Sequence, residues 1–471
     1  MISLLRANGI SFMDVELVLF QKLRQVFVEV MESVLVGLDE MVFEYRERER
    51  YVVKDRRSGC IASLMGDIEY KRRYYLDKDA GEYVFLLDEL LEIEAGRASP
   101  GLAMAAVLQA VTGPSYRAAR DNLKRFYGHQ VASHEWIRQM VLDTWEQIKS
   151  EEEKRRAKAE GARKVDILFV EADGYWCSMQ REKRRKREVR MAVSHEGWAP
   201  RSPGSKEYEL CHKSHFLDLD SSDFWDDASR HLMSRYDLGE DTVVVINGDR
   251  ASWIRAGVGY FPRALYQVDR FHIKRDIRRL LHNTRELATC LDAFDRSDID
   301  GLIGSLAAAR ERAKATSGDV RRIIEIDDLM RSVMEMPEAY VDYRIRLQEM
   351  GYDTAGMRGM GAAESNVDRF SNRLKKRGQS WGLEGLKAMA NSLIKYFEGK
   401  LERYAKHVGR VHALLQDHYD ADKISDIADQ VVGEVEKSMQ GNVPIMRSGR
   451  TRSGGLSRLF NNIVDQGLIM T

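Results

Sequence analysis

A chain of 471 residues is too long for one ordinary hydrophobic core, so two or three structural units are expected. With 44% hydrophobic and 31% charged residues it is neither disordered nor collagen-like, and with basic and acidic residues balanced at 74 each, any footprint for nucleic acid must be local. The four cysteines, Cys60, Cys177, Cys211 and Cys290, form no CxxC pair, so neither a zinc site nor a disulfide framework is indicated and a reducing cytoplasm is the expected location.

The first expected segment, 1–58, holds a long helix from Phe12 to Leu38. Glu16, Lys22, Arg24, Glu29 and Glu32 interrupt its apolar run, so it cannot span a membrane, and nothing resembles a signal peptide. It reads as a helix packed on its own domain or on a second copy. In segment 59–160, short strands are expected in Cys60 to Tyr75 and from Glu82, around a turn at Asp77 to Gly81. Helical stretches follow at Pro100 to Val111 behind the cap Ser99, at Ser115 to Tyr127 and at Ser133 to Gln147. Their lengths and turns suit a helix-turn-helix-like DNA-binding unit, although three short helices also pack for their own sake.

The charged, Ala-rich stretch Ser150 to Lys164 marks a boundary, and segment 161–285 then takes on strand periodicity. Strands are expected at Val165 to Met179, Glu188 to His195 and Glu209 to Leu217. A helix capped by Ser222, the strand TVVVINGD ending at Asp249, a short helix around Trp253, the strand ALYQVD ending at Asp269 and a helix from Phe271 complete the run. Three strands, helix, strand, helix, strand is the element order of a mixed α/β, ribonuclease-H-like core. A helical insertion is expected over 286–354. The core's second part, 355–420, opens on a Gly-rich connection and a helix near Ala362. The last segment, 421–471, reads as helical with a basic end carrying Arg447, Arg450, Arg452 and Arg458.

Chemistry on phosphodiesters with Mg²⁺ needs carboxylates converging from different elements, because Mg²⁺ takes few protein ligands and keeps waters and phosphate oxygens. Asp173, towards the end of its strand in LFVEADGY, and Asp249, ending its strand in VVVINGDR, are expected on neighbouring parallel strands, so both should emerge at one carboxyl edge. Glu364, in GMGAAESNVDRF, is placed to supply a third acid from a helix crossing that edge. Each acid alone is more often a turn residue or helix cap, and Glu171, on the same strand face as Asp173, and Asp269 compete.

Several blocks resemble the ISLre family of insertion-sequence transposases and the uncharacterised proteins grouped with it. They are VEADGYWCSMQREKRRKRE, VSHEGW, VVINGDRASWIRAGVGYFPRALYQVDRFHIKRDIRRLL and GAAESNVDRFSNRLKKRGQSWGLEGLKAM, and the front end of the chain is similar too. The order of the INGDR, VDRFH and GxxE blocks is also similar to the wider Mutator-like group. The resemblance implies a DDE-type transposase with Asp173, Asp249 and Glu364 as catalytic, metal-binding residues for two Mg²⁺ ions, or Mn²⁺. It also implies DNA as partner, both transposon terminal inverted repeats and target, together with a homo-oligomer and no organic cofactor. Its DxxH block falls on Asp269 to His272, where His272 either contacts the scissile phosphate or is a helix-start histidine bonded to backbone. Many family members read DEDH at the first acid, whereas Gly174, Tyr175 and Trp176 follow Asp173 here.

Three basic clusters flank these acids. Lys183, Arg184, Arg185, Lys186 and Arg187 lie in a hairpin tip after the first strand, Lys274 and Arg275 follow His272, and Arg369, Arg373, Lys375, Lys376 and Arg377 follow Glu364. Trp176, Trp198, Trp253 and Trp381 sit near the same blocks, as core residues or, for one of them, as a base-stacking side chain. Two further readings are a nuclease or resolvase on the same fold that does not join DNA, and a host-retained binder without catalysis.

Overall fold

In this computed structural model, residues 11–157, 161–219, 224–316 and 319–405 are described. The expected cap Ser222 and the whole segment 421–471 lie outside them. Contacts divide the chain into two units, Met1–Thr144 with Glu402–Thr471, and Trp145–Leu401. The fold is mixed α/β, and no helix among the described residues is long and apolar enough to cross a membrane.

The first unit starts with the helix Phe12–Tyr45, opened by a capping box between Ser11 and Asp14. Leu35 and Leu38 pack with Ile61, Ile68 and Tyr70 of an antiparallel sheet, β1 (Tyr51–Ala62), β2 (Asp67–Asp77) and β3 (Glu82–Val84). The run Cys60 to Tyr75, expected as a strand, is a hairpin bent at Ser63 to Gly66, and its first strand reaches back to Tyr51. Its middle, Lys54 to Ser58, is polar and exposed on both faces, so no apolar alternation betrays it. The run from Glu82 is strand for three residues and then turns helical at Leu86–Leu90. Buried pairs Arg72 with Asp88 (2.8 Å) and Arg73 with Asp39 (2.5 Å) fix β2 to both helices. Helices Pro100–Thr112 and Tyr116–Tyr127 begin on Ser99 and Ser115. The helix His134–Ala157 runs ten residues past Gln147, through the charged stretch that looked like a boundary.

The second unit is built on β4 (Ile167–Ser178), β5 (Lys186–His195), β6 (Trp198–Pro200), β7 (Tyr208–Leu210), β8 (Ser214–Asp218), β9 (Val243–Gly248) and β10 (Ala264–Val268). Five of these form one sheet in the order β8, β5, β4, β9, β10. The first three are antiparallel neighbours, whereas β4 with β9 and β9 with β10 are parallel. The single strand expected over Glu209 to Leu217 is two, because His212 adopts a positive φ of 50° and turns the chain between β7, which pairs with β6, and β8.

Period two assigns the sheet faces. Leu168, Val170, Ala172, Val244 and Ile246 share a core with the helices Phe224–Met233 and Arg270–Leu280 and with Phe294, Leu302, Leu306, Ile326, Leu329 and Tyr340. The helical stretch after residue 286 is therefore part of this core. On the opposite face Phe169, Val243 and Val245 pack with Tyr343, Leu347 and Met360. Where β4, β9 and the short helix Ser252–Arg255 meet, a Cβ on Gly248 would stand 2.6 Å from the Ala172 carbonyl and 2.8 Å from Ile254, so only glycine fits.

Candidate active site

Register brings the acids together. Parallel pairing of β4 with β9 ends at Ala172 opposite Gly248, and that of β10 with β9 at Val268 opposite Gly248. The next residue on each strand is Asp173, Asp249 or Asp269. Three carboxylates thus occupy one row across neighbouring parallel strands, spaced at roughly 4.8 Å per strand. Asp173, expected towards the end of its strand, is seventh of the twelve residues in Ile167–Ser178 and marks where the partner β9 stops. A cleft of about 240 Å³ lies beside the row, lined by Asp249, Asp269, His272, Arg275 and Asp276 among others.

Beneath this row runs a second, fully buried and polar one: Glu171, Asn247 and Gln267, each two residues before its aspartate. The main chain at Tyr343 donates to Gln267 Oε1 (2.6 Å), Gln267 Nε2 to Asn247 Oδ1 (3.3 Å), and Asn247 Nδ2 to Asp269 Oδ2 (3.2 Å). Each bond fixes the amide orientation needed by the next. This row was not anticipated, yet the pattern polar, small or apolar, Asp stands at each of the three aspartates, in Glu171-Ala172-Asp173, Asn247-Gly248-Asp249 and Gln267-Val268-Asp269.

Glu171 lies 1% exposed with His195 Nε2 at 3.4 Å, and its other oxygen accepts from the Ala363 N–H at 3.1 Å. It therefore satisfies the start of the helix Ala362–Leu374, which has no side-chain cap of its own, and tethers that helix to β4. At the far end Cys177 Sγ reaches the Leu374 carbonyl at 3.7 Å, so the helix runs along β4 on the face that carries Asp173. Asn366, two residues beyond Glu364, accepts from His215 Nε2 of β8 at 3.1 Å. Two residues turn a helix by roughly 200°, so Glu364 lies on the side of the helix away from the buried Asn366, and the structure does not bring it into the aspartate row. Glu364 is exposed there, and among the described residues no three His, Cys, Asp or Glu side chains are close enough together to hold a metal ion.

The row is strained electrostatically. Burial pushes the Asp173 carboxyl up from its ordinary value against the pull of the Gly174 N–H, and the charges of Asp249 and Asp269 add to the rise. Burial also works against Asp269, but His272 and Asn247 outweigh it and hold that carboxyl low. Asp269 caps the helix Arg270–Leu280 by accepting from the His272 N–H at 2.9 Å. His272 Nδ1 stands 3.0 Å from the same Oδ1, an ion-pair contact rather than an aligned hydrogen bond. Asp269 pushes the imidazole above its ordinary 6.5, more than partial burial lowers it, and Asp173 contributes. Asp249 takes the Ala251 N–H on Oδ1 at 2.9 Å, while Tyr266 holds its carbonyl at 2.5 Å. Of the groups in the row, the Asp173 and Asp249 carboxylates are those whose oxygens are of the type a hard divalent ion takes.

The basic clusters separate. Lys183, Arg184, Arg185 and Lys186 are exposed at the β4–β5 tip, about 17 Å of strand beyond Asp173. Arg187 is partly buried and donates to the Leu219 carbonyl at 3.0 Å. Arg373 is only 4% exposed, with its guanidinium over the Trp381 ring, so this expected DNA contact is a packing residue. Lys376 pairs with Asp368, Lys274 with Asp295, and Arg377 binds Asn372. Arg275, Arg369 and Lys375 stay exposed. Trp198, Trp253 and Trp381 pack against Phe169, Phe224 and Arg373, whereas Trp176 is exposed.

The chain has relatives across most of its length. A family model described as an uncharacterised protein family, UPF0236, matches residues 5–410. A UPF0236 protein of Caldanaerobacter subterraneus subsp. tengcongensis is 25% identical over 364 residues, 76% of this chain and 72% of the relative. A second from that organism, whose name carries eleven locus labels, is 23% identical over 369 residues, 77% of this chain and 73% of the relative. A UPF0236 protein of Streptococcus gallolyticus, named for a vanSb 3' region, is 25% identical over 407 residues, 84% of this chain and 85% of the relative. The chain belongs to the UPF0236 family, whose members are uncharacterised.

Proposed function

We propose that this protein is a DDE-type DNA transposase, cutting transposon ends and joining the freed 3′-hydroxyl to target DNA. The observation that carries the reading is the row of Asp173, Asp249 and Asp269 where the pairing of three parallel strands ends, with the Glu364 helix tied to β4 beside it. The sheet order, an antiparallel meander extended by two parallel strands, is the one a ribonuclease-H-like core requires. A relative bearing eleven locus labels from one genome also fits an element that copies itself.

Asp173, Asp249 and Glu364 would hold the ions, the first two from the sheet and Glu364 from the flanking helix. Two Mg²⁺ or Mn²⁺ ions supply an activated oxygen nucleophile and neutralise charge on the phosphate and leaving oxygen. His272, whose cationic form contact with Asp269 favours, is the donor beside the row for a phosphate oxygen. Arg275 at the cleft, with Lys183 to Lys186, Arg369 and Lys375, supplies positive charge for the DNA backbone. Helices Pro100–Thr112 to His134–Ala157 are the candidate reader of terminal repeats.

A second copy of the chain is the expected partner. The N-terminal half of helix Phe12–Tyr45 exposes Phe12, Met13, Leu17, Leu23 and Phe27. Asp14 and Glu16 precede Lys22 and Arg24 on it, a charge order that matches itself in an antiparallel pair.

The test is incubation of the full chain with labelled DNA bearing the element's terminal repeats and Mg²⁺ or Mn²⁺. Joined products are expected, and Glu364→Gln should lower them at least a hundredfold. Cleavage without joining would mean a nuclease or resolvase, and bound but intact DNA an inactive binder. Full activity of Glu364→Gln would remove it from the triad.

A further inference from the structure

The helix Arg270–Leu280 carries five basic side chains, and three are engaged within the protein. Arg270 donates to the Phe294 carbonyl at 2.6 Å and lies over its ring, Lys274 pairs with Asp295, and Arg279 pairs with Glu325. Arg275 and Arg278 are exposed, and neither forms an ion pair among the described residues. Positions 271, 275 and 278 are spaced i, i+4, i+7, so these two arginines share one stripe with Phe271.

Phe271 is 51% exposed and adds nothing to the core, which Ile273, Ile277 and Leu280 serve from the other side of the helix. Its ring stands 5.8 Å from that of His272, nearly perpendicular to it, and His272 is the residue held against Asp269. Arg275 itself lines the cleft with Asp249 and Asp269. A single exposed aromatic is ordinary; one aligned with two unneutralised guanidiniums at the lip of an acid row is not. Trp176 does not compete, since three residues along a strand place it on the sheet face opposite Asp173.

We propose that the Phe271, Arg275, Arg278 stripe binds an unpaired nucleotide of a nucleic-acid strand, with the base stacked on Phe271 and phosphates on the two arginines. The base must be unpaired, because a duplex already covers both of its π faces. The inference rests on the transposase reading only for what is done to the strand next to the stripe; binding can be measured without chemistry.

The experiment uses the full chain in EDTA with a duplex carrying a short single-stranded overhang labelled with 2-aminopurine, and the same duplex made blunt. Phe271→Ala should weaken overhang binding about tenfold or more and abolish the 2-aminopurine quench, while affinity for the blunt duplex is unchanged. Phe271→Trp should restore both. Arg275→Ala and Arg278→Ala should each reduce the slope of log K against log salt by about 0.7. No binding by the unaltered chain, an unchanged quench in Phe271→Ala, or an equal loss on both DNAs would overturn the stripe. Stacking without Mg²⁺-dependent cleavage would leave the stripe standing and remove the transposase; cleavage with an unchanged quench would do the reverse.

Discussion

Asp173 is the residue whose chemistry is most constrained by its neighbours. Its folded-state pKa is raised, so the native state holds a proton that the unfolded chain has lost, and stability falls as pH rises from the ordinary carboxylate value through the raised one. Asp173→Asn removes that cost: the metal-free variant should melt higher than the parent at pH 7 in a thermal scan. Mg²⁺ or Mn²⁺ should raise the melting point of the parent and not of the variant. A lower melting point for the variant would contradict this account. His272 has a link of the same sign, although here it is a gain that disappears, since contact with Asp269 stabilises the cationic form. That contribution is complete below 6.5 and is lost as pH rises through the raised pKa. NMR titration of the metal-free protein should find His272 above 6.5, and Asp269→Asn should lower it.

The elements are held in register by contacts that single residues control. Gly248→Ala would press a methyl group onto the Ala172 carbonyl and Ile254, costing about 1 to 3 kcal/mol and lowering the denaturation midpoint. Glu171→Ala leaves the Ala363 N–H unsatisfied, a loss of about 1 to 3 kcal/mol. Hydrogen exchange should then quicken at the start of the Glu364 helix before it changes in β4. The strands ending at Asp249 and Asp269 could be read in sequence because a short β-branched or apolar run stops at a carboxylate in each. The polar residue two places earlier was equally visible, but its role depends on strand register, which no single segment encodes. β1 escaped because its middle, Lys54 to Ser58, is polar throughout, and Arg373 because burial over Trp381 is set by a segment eight residues away.

For the whole molecule, the insertion expected after residue 286 shares one core with the sheet, because its apolar stripes meet Leu168, Val170 and Ile246. That meeting is long-range and invisible to periodicity. The chain should sediment as a dimer of about twice 54.1 kDa, and Leu17→Glu with Leu23→Glu should make it a monomer with an unchanged circular dichroism spectrum. A parent that sediments as a monomer at micromolar concentration would contradict that interface. The reading as a metal-dependent transposase turns on whether the acid row touches the ions during chemistry. The decisive measurement is DNA end joining by Asp249→Cys in Mg²⁺ and in Mn²⁺, since a thiolate tolerates Mn²⁺ far better than Mg²⁺. Joining lost with Mg²⁺ and recovered with Mn²⁺ is the predicted result; undiminished joining with Mg²⁺ would contradict the account.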